Sequence, residues 1–171
     1  MVSIRAASPT DAHAIAHIHV AGWRSAYRGI VPQSHLDQLS VERRENYWAS
    51  ALLNGHPNVR VADSGSGILG WVAFDQCRDA DKTSHTGELW AIYLLPEVLG
   101  QGIGRELWLR SLNELQQLSF YDVTLWVLAQ NARARQFYES AGFIPDPDSA
   151  RDVAIGCSTL RELRYARNIA A

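Results

Sequence analysis

The stretch from Glu88 to Leu118 constrains the fold of this chain more than any other part of it. An apolar run, Leu89-Trp90-Ala91-Ile92-Tyr93-Leu94-Leu95, has the length and composition of a strand, and Leu99-Gly100-Gln101-Gly102-Ile103-Gly104 follows it. Beyond the glycines, Ile103, Leu107, Trp108, Leu112 and Leu115 recur at the three- and four-residue spacing of an amphipathic helix. Strand, glycine loop and helix together present bare main-chain amides and a helix amino end to an anion. Glycines at alternate positions let the main chain lie against a phosphate with no Cβ atoms between. The segment reads as a grip for a phosphate-bearing cofactor.

What the loop lacks narrows the cofactor. A nucleoside-triphosphate loop ends in Gly-Lys-Ser/Thr, whereas Gly104 is followed by Arg105 and Glu106. A dinucleotide fingerprint places its third glycine three residues after Gly102, where Arg105 stands, and sits in the first strand–helix unit of its domain.

Along the rest of the chain, Val2 to Ala6 alternates like a half-buried strand. Ser8-Pro9-Thr10-Asp11 reads as a helix start with Ser8 as N-cap and Asp11 reaching back in a capping box, the helix running to about Tyr27. A second helix covers Val41 to Leu53, and strands at Val59–Ala62 and Ile68–Phe74 join around Ser64-Gly65-Ser66-Gly67. Gln76 to Thr86 is polar and reads as a mobile loop. A strand from Glu88 to Leu95, a helix from Gly102 to Leu118 and a strand from Val123 to Leu128 form a parallel crossover. A helix from Asn131 to Ala141 ends at Gly142, Pro145 to Asp148 is a turn, and Cys157 to Arg167 is a last strand. This order predicts one α/β domain over residues 1–171, layered around a mixed sheet.

Composition excludes several classes. A net charge of −2 offers no broad basic field for nucleic acid, and no apolar run approaches the roughly 20 residues of a membrane helix. Met1-Val2-Ser3-Ile4-Arg5 has no export core behind it, which points to the cytoplasm. Cys77 and Cys157 form no CxxC pair, so neither a disulfide nor a zinc site is expected. His13 and His17 have metal-ligand spacing but lack the HExxH glutamate and a third partner, so no metal is expected.

Three segments together resemble the GNAT superfamily of acetyl-CoA-dependent N-acetyltransferases. Gly100 to Gly104 resembles its pyrophosphate loop, and Glu88 to Glu97 resembles the strand and proline-containing exit before it. Asn131-Ala132-Arg133-Ala134-Arg135-Gln136-Phe137-Tyr138-Glu139-Ser140-Ala141-Gly142-Phe143 resembles its second signature, and Ala21 to Ile30 its first helix. The resemblance implies a mostly antiparallel mixed sheet with helices on both faces, the parallel crossover standing at the cofactor site. It implies acetyl-CoA as cosubstrate, bound by main-chain groups of Ile92, Tyr93 and Leu94 along the pantetheine and by Leu99, Gly100, Gln101, Gly102, Ile103, Gly104 and Arg105 at the diphosphate. Leu99 departs from the Arg or Gln usual at its position, so that support is missing or comes from elsewhere.

Direct acyl transfer from a thioester to an amine needs a base, a stabilised carbonyl oxygen, an acid for the thiolate and held reactants, but no enzyme nucleophile. Glu88 is the candidate base, with a strand glutamate in an ion pair or facing solvent as the alternative. Tyr138 maps onto the tyrosine beside the cofactor sulfur and is the candidate acid, with core packing as the alternative. Asn131 is placed to cap its helix and to meet the pantetheine arm, with Ala134 and Arg135 on the same helix face. Arg105 and Arg135 either lie near phosphates or are surface arginines. Trp23 and Tyr27 wall the acceptor pocket or pack in the core, and Glu162 meets the acceptor amine or pairs along its strand. The expectation is an enzyme acetylating a primary amine of a small-molecule acceptor in a ternary complex. A peptide or protein N-acetyltransferase and a non-catalytic acyl-CoA-binding module are the alternatives, and a homodimer is suggested by analogy alone.

Overall fold

The computed structural model describes residues 2–170, with Pro147 described by its backbone alone, so Met1 and Ala171 of the expected domain lie outside the described residues. In chain order the elements are β1 (Ser3–Ala6), α1 (Ala12–Ala26), α2 (Gln33–Asp37), α3 (Val41–Asn54), β2 (Asn58–Asp63), β3 (Ile68–Gln76) and β4 (Thr86–Leu94). They continue with α4 (Ile103–Gln117), β5 (Asp122–Leu128), α5 (Ala132–Ser140), β6 (Ile144–Ile155) and β7 (Ser158–Asn168). A seven-stranded sheet runs in the order β1-β2-β3-β4-β5-β7-β6. Its neighbours are antiparallel except β4 and β5, which pair in parallel across α4.

The local signals act as their chemistry requires. Asp11 accepts a hydrogen bond from the Ser8 main-chain N–H at 2.7 Å, and Arg5 from β1 donates to both of its carboxylate oxygens at 2.8 Å. Ser40 Oγ accepts from Arg43 N at 3.2 Å at the start of α3, and Gly55 ends that helix with φ +68°. Residues alternate across the sheet: Trp71 and Ala73 of β3 pack under α1 and α3, while Val72 and Phe74 face α4 and α5. A sheet buried on both faces suits the near-continuous apolar runs of its central strands.

Three expectations change. A third helix, α2, stands between α1 and α3; its five residues are too short for helical periodicity to register. Pro145 to Asp148, expected as a turn, lies inside β6, whose pairing with β7 breaks register between Asp146 and Arg151. A bulge absorbs the prolines there without ending the strand. Residues 77–85, read as a mobile loop, are anchored: Arg164 of β7 donates to Asp79 at 3.2 Å and to both oxygens of Asp81 at 2.8 Å.

The sheet parts at its centre. β4 and β5 pair only at Thr86↔Asp122, Gly87↔Val123 and Glu88↔Thr124. Beyond these, β4 stays with β3 as far as Leu94 and β5 stays with β7 as far as Leu128. The β3–β4 register slips so that Ala73 meets Ala91 while Phe74 meets Leu89, leaving Trp90 as an extra residue in β4. Such a bulge bends its strand, here at the point where β4 leaves β5.

Candidate active site

A cleft of about 630 Å³ fills the gap between the parted strands. Leu89 to Leu94 of β4 form one wall, and Trp126 and Val127 of β5 with Asn131, Ala134 and Tyr138 around α5 form the other. Leu99, Gly100, Gly102, Gly104 and Arg105 line it as well, as do Gly22 of α1 and Tyr27, which caps the end of that helix. Where β4 has left β5, its main-chain groups on that side have no ladder partner, so the cleft offers an extended ligand a strand to lie along.

The glycine loop is shaped by its backbone. Gly100 and Gly102 have φ of +83° and +86°, and a Cβ at either would meet nothing within 4 Å, so conformation and not crowding requires glycine. Gly102 starts α4 with no side-chain cap, which leaves first-turn amides and the positive end of the helix dipole open. At Gly104 a Cβ would come within 3.2 Å of Leu94 and 3.4 Å of Phe137, so this glycine lets α4 seat closely on β4 and α5. An uncapped helix start beside an unpaired strand, with Arg105 and Arg133 on the cleft wall, fits a ligand that carries phosphates on a long amide-bearing arm.

Tyrosines Tyr27, Tyr93 and Tyr138 stand on the wall together. The Tyr27 and Tyr93 hydroxyls lie 3.4 Å apart. Burial pushes all three hydroxyls above the usual tyrosine range, so each keeps its proton at neutral pH and serves as a donor. Asn131 caps α5, accepting from Ala134 N at 3.2 Å, and faces the cleft as well.

Other candidates lie elsewhere. Glu88 sits one residue before the wall begins, buried to 2 % exposure, and both of its oxygens accept from Arg78, at 2.5 and 3.1 Å. Glu162 pairs with Arg151 at 3.1 Å, and Arg135 donates to Tyr165 Oη at 3.0 Å and to the Ala129 carbonyl. Trp23 stacks on His19 and edges Tyr27 behind the wall. The Ile103 side chain is in the core, and the Gln101 amide donates to the Glu97 carbonyl. His13 pairs with Glu45 at 2.7 Å.

A profile described as the Acetyltransferase (GNAT) family matches residues 12–143. This chain belongs to the GNAT acetyltransferase family. An uncharacterized N-acetyltransferase of Bacillus subtilis is 37% identical over 132 residues, spanning 77% of this chain and 74% of its own. An L-amino acid N-acyltransferase of Escherichia coli is 27% identical over 146 residues, spanning 84% of this chain and 80% of its own. Among solved structures, the PaiA N-acetyltransferase of Thermoplasma acidophilum in complex with coenzyme A superposes with a TM-score of 0.77. It is 18% identical and covers 98% of this chain and 99% of its own, a likeness of fold.

In this GNAT acetyltransferase the cleft also uses residues that sequence reasoning passed over. Trp90 and Trp126 stand within apolar strand-like runs that single out neither residue, yet both line the cleft. Each is covered by an arginine: Arg78 lies 4.1 Å from the Trp90 ring centroid and Arg151 lies 3.7 Å from that of Trp126. Trp126 Nε1 donates to Asp79 at 3.0 Å, tying the wall to the anchored loop. A tryptophan in a strand, two residues from Glu88 or Thr124, was the available signal, but it carries no mark of whether the neighbouring strand stays paired.

Proposed function

We propose that this acyltransferase moves the acetyl group of acetyl-CoA directly to a primary amine of a small-molecule acceptor, both reactants being bound at once. The observation that carries the reading is the parting of β4 from β5 directly beside the uncapped start of α4. Acetyl-CoA is bound by the first-turn amides of α4 at its diphosphate, with Arg105 and Arg133 adding charge, and by main-chain groups of Ile92 to Leu94 along its pantetheine. One N–H of β4 polarises the thioester carbonyl. These are main-chain donors, so Leu99 in place of a polar residue leaves them intact.

Tyr138, protonated and on the cleft wall, donates to the departing sulfur as general acid. Glu88 is the base that takes the ammonium proton, directly or through water, from an amine of pKa about 10. Tyr27, on the α1 side, bounds the acceptor pocket. The names of relatives, an L-amino acid N-acyltransferase and a mycothiol acetyltransferase 34% identical over 110 residues, support a small acceptor. Thiol release from acetyl-CoA across a panel of primary amines tests the reading. Amine-dependent release is expected, and cofactor binding without turnover on any amine would overturn it.

A further inference from the structure

Glu88 is a fully buried carboxylate, and the cation beside it belongs to a side chain that has every opportunity to leave. The Arg78 side chain is 57% exposed, that of Glu88 only 2%. The guanidinium bonds both Glu88 oxygens and lies over the Trp90 ring at 4.1 Å, while Trp90 itself lines the cleft. A carboxylate on one side and an aromatic face on the other make a receptor for an organic cation, whatever molecule supplies it.

We propose that Arg78 is a resident stand-in for the acceptor: a cationic alkylamine enters between Glu88 and Trp90, displaces the guanidinium into solvent, and thereby meets the carboxylate that takes its proton. The inference rests on the acetyl-transfer reading for what happens next, though the cation exchange itself does not. A buried carboxylate left without a counter-charge is costly, so Glu88 gives up Arg78 only to another cation. The Arg78 main-chain N–H donates to Glu88 Oε2 at 3.0 Å, a bond that persists when the side chain swings away. That bond keeps the carboxylate in place during the exchange. The loop behind it is fixed by the Arg164 bonds to Asp79 and Asp81, so the side chain moves and the loop does not. Acceptor selectivity follows: an amine that is cationic at neutral pH exchanges with the guanidinium, whereas an uncharged arylamine leaves Arg78 in place.

The test uses methylguanidinium chloride as probe, against equal sodium chloride, at millimolar concentrations. In Arg78→Ala, methylguanidinium is expected to raise the melting temperature saturably. Wild type, Arg78→Lys and the double variant Arg78→Ala/Glu88→Gln are expected to show no such rise. Should the alanine variant not fold, Arg78→Gln, whose amide can still donate to Glu88, carries the same measurement. With any amine that wild type acetylates, Arg78→Ala is expected to lower the acceptor KM on the order of tenfold, because no resident cation competes, and to leave the acetyl-CoA KM unchanged. No saturable rise in the single variant, or an equal rise in the double variant, overturns the proposal. A saturable rise in a protein that acetylates nothing keeps the cation site and removes the transferase reading.

Discussion

Glu88 and Thr124 are the last partners in the parallel pairing of β4 with β5, and the cleft opens directly beyond them, with Leu89 on one strand and Trp126 on the other. One pair of residues thus marks both the end of a hydrogen-bonded ladder and the start of a binding surface. The unpaired strand groups that would be a liability in a closed sheet are here open to an extended ligand.

Gly102→Ala is expected to weaken acetyl-CoA binding without unfolding the protein. A non-glycine residue at φ +86° costs about 1–2 kcal/mol, and no neighbour within 4 Å adds to it. The loop relieves that strain by turning its amides. Calorimetry should show a dissociation constant raised about tenfold, with the far-ultraviolet circular dichroism unchanged.

Tyr138→Phe separates chemistry from packing. Among the described residues the Tyr138 hydroxyl has no hydrogen-bond partner, while its ring packs beside Phe137 and Phe143. Loss of the hydroxyl should lower kcat about a hundredfold or more, as removal of a general acid does, and leave the acetyl-CoA KM and the melting temperature close to wild type.

His19 gives the fold an acid sensitivity. It is buried among Trp23, Trp71 and Tyr93 with neither ring nitrogen bonded, and desolvation pulls its pKa from 6.5 down to about 3. The unfolded chain binds the proton first, so stability is whole above pH 6.5 and falls as pH drops toward 3. At pH 5 the loss is about 2 kcal/mol. His19→Phe should flatten this part of the stability curve in urea unfolding between pH 7 and 4.

Arg164→Gln should release the loop that backs Trp126. Arg164 is buried and holds Asp79, Asp81 and Asp146 together, and without it three carboxylates face one another. Trypsin cleavage after Lys82 is expected to accelerate on the order of tenfold as local opening grows easier. The acceptor KM should rise while acetyl-CoA affinity holds, since the ion pairs of Arg164 are with Asp79, Asp81 and Asp146 and not with the Gly100–Gly104 loop.

Much of the fold is legible locally. The 3.6-residue period of α4, the capping residues Ser8, Asp11 and Asn131, and the Ser64–Gly67 hairpin are short-range chemistry, and each appears where its pattern places it. So do the glycines that need positive φ at the loop. Of the wall, Tyr27, Tyr93, Asn131 and Tyr138 were named from sequence and stand together in the cleft. Helix α2 and the continuation of β6 through Pro145 were missed because five residues carry no period and because a proline at a bulge looks like a proline at a turn.

The sequence by itself determined the strand–loop–helix that offers amides to a phosphate, since backbone conformation there depends on residues next to one another. Only the tertiary structure decided which side chains reach the ligand. Arg78 and Glu88 are ten positions apart, Asp79 and Trp126 forty-seven, and whether their charges are free or already matched depends on strands brought together by the whole sheet. Where β4 leaves β5 is likewise a property of two partners and a bulge, and a single strand's residues do not state whom it stops touching.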